Sequence, residues 1–258
     1  MLRVFSLQFF LLSFFSLGRL ECTPILFAMP PKTASVYIPQ YFAKGLDKLF
    51  MLTVSVNGGF PDQKISPNKM KKILTLDMVS RGHFDSSSEN LDLVRNAGGH
   101  IVVSVRDLRQ NVVSWTFHES NLISQGQGKE IFHLQAPHPR GYTAWSFAKR
   151  LDWNIDRFIP LAVQWIEGWL AAAEKEPSMI KFVTYENFVN HPNEYFSEIL
   201  EFLGYSDDDF KEVNLRPTKQ LHYRKGETNE WERILTKEQI ARIEEQIPSY
   251  FFDLFGWN

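Results

Sequence analysis

The feature that most constrains this chain is an alternation of short apolar runs with segments of helical length. Ile25 to Met29, Lys71 to Met78, Ile101 to Val105 and Ile180 to Thr184 are the runs, and each has the length of a buried strand. The first stops at Pro30-Pro31, the third at Arg106-Asp107. Between and after them the pattern predicts helices over Ser35–Phe50 (with Pro39 near its start), Asn111–Glu119, Phe158–Lys175 and Asn193–Phe202. Leu161, Val163, Trp165, Ile166, Trp169 and Leu170 give the third an apolar surface, and Gly204 is placed to stop the last. Short apolar strands alternating with long helices imply a parallel sheet covered on both faces. The expected fold class is α/β: a single three-layer domain with a central parallel sheet flanked by helices. At 258 residues, 44% of them hydrophobic, the chain is large enough to bury such a core.

Charge and cysteine content narrow the partners. A formal net charge of −2 argues against general affinity for nucleic acid or acidic membrane. Cys22 is the one cysteine, so no intrachain disulfide forms, and the body of the chain bears no mark of an oxidising compartment. Val4 to Leu17 carries no charge and lies between Arg3 and Arg19, with the small Gly18 after it. That pattern resembles a secretory signal, and it is shorter than the ~20 apolar residues of a membrane span. A leader packed on the domain and a mis-set start fit as well. The division is therefore a hydrophobic leader at 1–22 and one domain at 23–258. The lack of disulfides and of a stem before the domain points to the cytoplasm. A retained leader would instead bring secretion or membrane association.

In an open α/β sheet, ligands bind beyond the carboxyl ends of the strands, and three charged or polar segments follow strands there. Pro30-Pro31-Lys32-Thr33-Ala34-Ser35-Val36-Tyr37 joins the first strand to the first helix. Such a turn presents backbone N–H groups and a helix N-terminus to an anion, with Lys32 adding a charge and Thr33 and Ser35 adding hydroxyls. A solvated Pro-rich connection is the bland alternative, and the G-x-x-x-x-G-K-[ST] phosphate loop is absent. Arg106-Asp107-Leu108-Arg109-Gln110-Asn111-Val112-Val113-Ser114 follows the third run. Its guanidinium groups suit phosphate, and Ser114 would lie about two helical turns beyond Arg106. A structural salt bridge is the alternative. Lys181 to Phe188 ends a strand in Tyr185, an aromatic ring with a polar handle. Near the C-terminus, Arg224-Lys225-Gly226 could wrap a phosphate or form a basic surface loop.

In this order and at these separations, the four segments resemble the sulfotransferases that use 3′-phosphoadenosine 5′-phosphosulfate (PAPS). Lys32 to Ile38 is similar to the family's P-K-S-G-T-T-W-L loop, and Arg106 to Ser114 to R-D-P-R-D-V-x-V-S. Arg224 to Trp231 is similar to R-K-G-x-x-G-D-W, and Tyr185-Glu186 through Phe202-Leu203-Gly204 to F-Y-E-D-…-I-L-x-F-L-G. The resemblance covers residues 24 to about 235. It implies a PAPS-binding strand-loop-helix, with PAPS as donor substrate and a hydroxyl or amine as acceptor. Lys32 would stabilise the leaving oxygen, and Thr33, Ala34, Ser35 and Val36 would hold the 5′-phosphate. Arg106, Ser114 and Arg224, with Lys225 and Gly226, would hold the 3′-phosphate. Tyr37 would stack on adenine and Tyr185 would bind the base edge.

His83, 23 positions before Arg106, stands close to where the family places its catalytic base. Asp77 and Asp85 are the carboxylate alternatives, and His118, His133 and His138 are candidates for the acceptor side. No Cys/His cluster has metal-ligand spacing, and the chemistry implied needs no metal. The chain departs from the family at Ala34 (for Gly), Val36, Tyr37, Leu108 and Asn229-Glu230. Alanine at 34 leads us to expect a backbone that avoids left-handed geometry there. The dimerisation motif of cytosolic relatives is barely present at Glu232 to Ala241, so no dimer is expected by that route. Acceptor choice is expected to lie in Phe117 to Asp156, which fits a small molecule, a glycan or a lipid-linked group. A small-molecule kinase of related fold and an inactive nucleotide-binding relative are the rival functions.

Overall fold

A computed structural model describes residues 23–56, 59–127, 138–213 and 226–257. Five parallel strands form one sheet in the order β2-β3-β1-β4-β5: β1 Ile25–Ala28, β2 Leu49–Met51, β3 Met78–Gly82, β4 His100–Val105 and β5 Ile180–Thr184. Helices α1 Tyr37–Gly45, α2 Pro67–Leu76, α3 Ser88–Asn96, α4 Leu108–Ser124 and α5 Phe147–Lys175 make the crossovers. Helices α6 Tyr185–Asn190, α7 Pro192–Phe202, α8 Trp231–Ile234, α9 Lys237–Glu244 and α10 Tyr250–Phe255 follow the last strand.

Side chains alternate between the two faces of the sheet, as the two-residue period of a strand requires. Leu26, Ala28, Ile101, Val103 and Val105 pack with Val112 and Val113 of α4 and Phe158, Ile159 and Ile166 of α5. Ile25, Phe27, Val79 and Val102 pack on the other face with Ile38 and Phe42 of α1 and Tyr195, Phe196 and Ile199 of α7. These two cores enclose the sheet and make the expected three layers. Among the described residues no helix is long and apolar enough to cross a membrane.

The runs at 25–29, 101–105 and 180–184 form strands as expected, but Lys71–Met78 does not. It belongs mostly to α2, whose start is fixed by Pro67 at the first helical position and by the Ser66 hydroxyl, which accepts the Lys69 N–H. Met70 and Ile73, three apart, supply its buried face. Asp77 then takes left-handed backbone (φ 48°) to end the helix, and the strand starts one residue later. The helix expected over Ser35–Phe50 begins at Tyr37 and stops at Gly45, where a Cβ would come within 2.2 Å of the Phe210 ring. Asp47 turns the chain with φ 56°, and Phe50 enters the edge strand β2. Helices α4 and α5 start earlier than expected, each capped by a side-chain oxygen: Asp107 for α4 and Ser146 for α5. Pro160 is accommodated inside α5.

Candidate active site

Four strands deliver the candidate residues to one edge of the sheet. β1 runs into Met29 and the 30–36 loop, β3 into His83, β4 into Arg106, and β5 into Tyr185. Because β3, β1, β4 and β5 are parallel neighbours, these residues emerge side by side.

The β1–α1 loop contains two left-handed residues, Lys32 (φ 70°) and Ala34 (φ 55°), with Thr33 between them. The expectation that alanine keeps residue 34 out of left-handed geometry is therefore wrong. The loop retains that conformation and carries a strain of roughly 1–2 kcal/mol at each such residue. Alternating backbone handedness turns successive N–H groups toward one concavity, the arrangement that binds anions. Among the described residues, no N–H from Thr33 to Val36 donates to a backbone carbonyl. Thr33 is fully buried and its hydroxyl donates to Pro30 O at 2.8 Å, so that side chain holds the turn and leaves the backbone to face a ligand. Tyr37 opens α1 between Tyr41 and Phe188, both with ring centroids 6.0 Å away. Partial burial and the neighbouring Tyr41 push its phenol above the ordinary range.

Arg106 ties the segments together. Its Nη1 donates to Lys32 O and its Nη2 to Glu227 O, both at 2.7 Å, and its guanidinium lies 4.1 Å above the Tyr185 ring centre. The side chain thus spans the β1–α1 loop, the β5–α6 junction and the C-terminal loop after Gly226, itself left-handed at φ 75°. Arg106 forms no salt bridge with Asp107. Asp107 instead caps α4 and pairs with Arg109 at 2.8 Å. Ser114 is buried on α4 in the second turn beyond Arg106. Arg224 and Lys225 lie outside the described residues, as do His133 and the leader.

His83 follows Gly82, where a Cβ would lie 2.5 Å from Ser55 Oγ and 2.7 Å from the Phe84 ring. Its Nδ1 is 2.5 Å from Met29 O and its Nε2 is 3.1 Å from Arg81 Nη1. A carbonyl can only accept and a guanidinium can only donate, so these partners put the proton on Nδ1 and the basic lone pair on Nε2. Arg81 was given no role in the sequence reading, although residues two apart at a strand end share a face. Burial lowers its guanidinium to about 10. Neither carboxylate alternative is placed to act as the base. Asp77 lies at the opposite end of β3, roughly 20 Å from His83 at ~3.3 Å per residue, and is paired with Lys48 at 2.5 Å. Asp85 accepts from Ser87, Asn90 and Lys64 at the start of α3.

Beside His83 stands a row of rings that the sequence reading also missed. The Phe60 ring meets His83 edge-on at 6.5 Å and stacks on Phe158 at 5.9 Å, and Phe158 stacks on Trp115 at 6.1 Å. Phe60 and Phe158 lie outside the 117–156 stretch expected to choose the acceptor. Within that stretch, buried Glu119 accepts from Tyr142 Oη at 2.6 Å and Asn154 Nδ2 at 2.7 Å, and its Oε1 is 3.1 Å from His138 Nε2. Desolvation and that carboxylate push the Tyr142 phenol far above its ordinary value. His118 packs near Trp115 at 5.7 Å.

Comparisons with known proteins identify the fold. The fold is similar to mouse sulfotransferase SULT7A1 complexed with PAP (TM-score 0.59, 15% identity, 87% of this chain and 82% of that chain). It is also similar to retinol dehydratase in complex with androsterone and inactive cofactor PAP (TM-score 0.53, 15% identity, 88% and 80%). No curated protein matches the chain in sequence. Residues 92–251, well over half of the chain, match the sulfotransferase domain, and the protein belongs to that family.

Proposed function

We propose that this protein transfers a sulfuryl group from PAPS to an acceptor hydroxyl or amine. The observation that carries the reading is Arg106, whose contacts gather the β1–α1 loop, Tyr185 and the C-terminal loop around a single guanidinium. The loop supplies N–H groups and Lys32 for the 5′-phosphosulfate, and Arg106 with Ser114 supplies donors for a 3′-phosphate. PAP in both solved structures of similar fold supports the same donor. Lys32 and His83 precede the 92–251 family match, so their roles rest on the geometry at the strand ends.

In the proposed reaction the acceptor oxygen or nitrogen attacks sulfur, and the bond from sulfur to the bridging oxygen of the donor breaks. The acceptor proton passes to His83 Nε2, and the products are a sulfated acceptor and 3′-phosphoadenosine 5′-phosphate. Lys32 offsets the charge that grows on the leaving oxygen. Little covalent work falls to the protein, so positioning and charge stabilisation dominate, as in phosphoryl transfer. For His83 to act, the Arg81 N–H must yield Nε2 to the acceptor. The rings of Phe60 and Phe158 beside His83 favour an acceptor with an apolar body.

The test is calorimetric titration of 3′-phosphoadenosine 5′-phosphate into the full chain and Arg106→Ala, with AMP and ATP alongside. The expected result is binding that requires the 3′-phosphate and that Arg106→Ala weakens far more for the bisphosphate than for AMP. Equal losses, or a preference for ATP with magnesium, would overturn the reading and favour a kinase.

A further inference from the structure

Glu186 has no part in the chemistry above, yet it lies against the strand end that carries Arg106. Its Oε1 accepts the Asp107 N–H at 3.1 Å, fixing the turn from which the Arg106 side chain projects. Its Oε2 is sealed from solvent and has no hydrogen-bond partner among the described residues. Resting on the reading of Arg106 as the 3′-phosphate ligand, we infer that Glu186 is a positioning residue of that subsite and must hold its proton for the donor nucleotide to bind. The class of ligand concerned is an adenine nucleotide bearing a 3′-phosphate.

The charges around the carboxyl set the argument. From the β4–α4 turn, Arg106 draws the proton off and Asp107 holds it on. Asp107 is itself paired with Arg109. From its own segment, Tyr185 places its ring under Arg106. From the β1–α1 loop and the C-terminal loop come Lys32 and Glu227, which reach Arg106 through their carbonyls. The Glu227 carboxylate is turned away onto Arg233. Among the described residues Arg106 is therefore the cation that favours an ionised Glu186, and burial works against it, pushing the carboxyl up to about 7. A phosphate dianion seated on Arg106 would take up that positive field and repel a carboxylate held on the N–H of the next residue, Asp107. Neutral Glu186 keeps the Asp107 hydrogen bond without the repulsion. Above neutral pH, binding must then be accompanied by uptake of a proton.

A purely structural Glu186 would hold the turn equally well at any pH, and the experiment separates the two cases. 3′-Phosphoadenosine 5′-phosphate is titrated into the full chain and into E186Q between pH 6.5 and 8.5, in buffers of different ionisation enthalpy. Glutamine keeps an oxygen for the Asp107 N–H and cannot ionise. The expected wild-type affinity falls about tenfold across this range with net proton uptake, and E186Q loses both the fall and the uptake. The phosphate's own second ionisation, near pH 6, is common to both proteins and acts in the opposite direction. An equal pH dependence in the two proteins overturns the inference while leaving the donor assignment standing. Should E186Q not fold, the wild type alone decides: proton uptake with the bisphosphate and none with AMP supports the role, and equal uptake removes it. Absence of bisphosphate binding at every pH overturns the donor assignment, and this inference with it.

Discussion

Glu186 also makes a prediction that needs no ligand. Its carboxyl lies at about 7 in the fold against an ordinary 4.5, raised first by burial and held back by the Asp107 N–H and by Arg106. Below 4.5 the folded and unfolded chains both hold the proton, and the group costs nothing. Between 4.5 and 7 the unfolded chain releases a proton that the folded chain keeps, so stability falls as pH rises. Above 7 both forms are ionised, and the whole penalty, about 3 kcal/mol, remains. E186Q removes the titration and retains an acceptor for Asp107 N. Its amide nitrogen, buried without a partner, adds a constant cost of about 1–3 kcal/mol. That constant shifts the curve without changing its slope. For a chain of this size each kcal/mol is worth about 2–4 °C in Tm. Thermal unfolding of both proteins from pH 5 to 8.5 should therefore show E186Q gaining about 5–10 °C on the wild type as pH rises, whatever its starting offset. Parallel Tm curves across that range would refute the argument, because they would mean that the carboxyl ionises in the fold as it does in water.

Two other predictions follow from the strand ends. Lys32→Ala and His83→Ala should each abolish sulfuryl transfer and keep bisphosphate binding measurable by calorimetry; wild-type turnover in either variant removes that residue from the chemistry. Ala34→Gly should relieve the left-handed strain of roughly 1–2 kcal/mol and lose part of it to unfolded-chain entropy. The net gain, up to about 1 kcal/mol, is read by denaturant unfolding, and a clear loss would mean that residue 34 does not hold φ 55°.

The parts legible in the sequence were those where burial or charge is extreme. β1 and β4 lie at the middle of the sheet, buried on both faces, and so read as apolar runs, interrupted in β4 only by Ser104. β2 is an edge strand of three residues with Leu49 exposed, and its pattern does not distinguish it from the end of a helix. Lys71–Met78 misled because Ile73, Leu74 and Leu76 fit a short strand as well as a helix. The deciding signals were Ser66-Pro67, which read as a helix start, and Asp77, whose left-handed turn only tertiary structure imposes. Lys32, His83 and Arg106 stood out as candidates because charge and imidazole at strand ends are chemically conspicuous. Arg81 was within reach, two residues from His83 on the same strand end. Glu186 was not, since a glutamate after a tyrosine at a helix start reads as solvated, and only the fold brings its carboxyl onto the Asp107 N–H with Oε2 sealed from solvent.

The spacing of the two arginines after β4 carries a division of labour that depends on the C-terminal segment. A guanidinium next to an aspartate would ordinarily be neutralised by it, and a neutralised Arg106 would bind phosphate poorly. Asp107 is instead engaged by Arg109, which donates to its carboxylate through Nε and Nη2 and also donates to Glu244 at 2.9 Å and to Trp257 O at 2.6 Å. The same guanidinium lies 4.1 Å from the Trp231 ring centre, and the neighbouring Gln110 accepts the Trp231 N–H at 3.0 Å. Arg109 therefore holds Asp107 away from Arg106 while it anchors the segment whose Glu227 carbonyl meets Arg106. The hydrogen bonds from Arg106 to the two carbonyls orient its guanidinium without cancelling its charge, because a carbonyl oxygen is neutral. A strand end organised in this way remains cationic after folding, which is the condition a site for a phosphate dianion must meet.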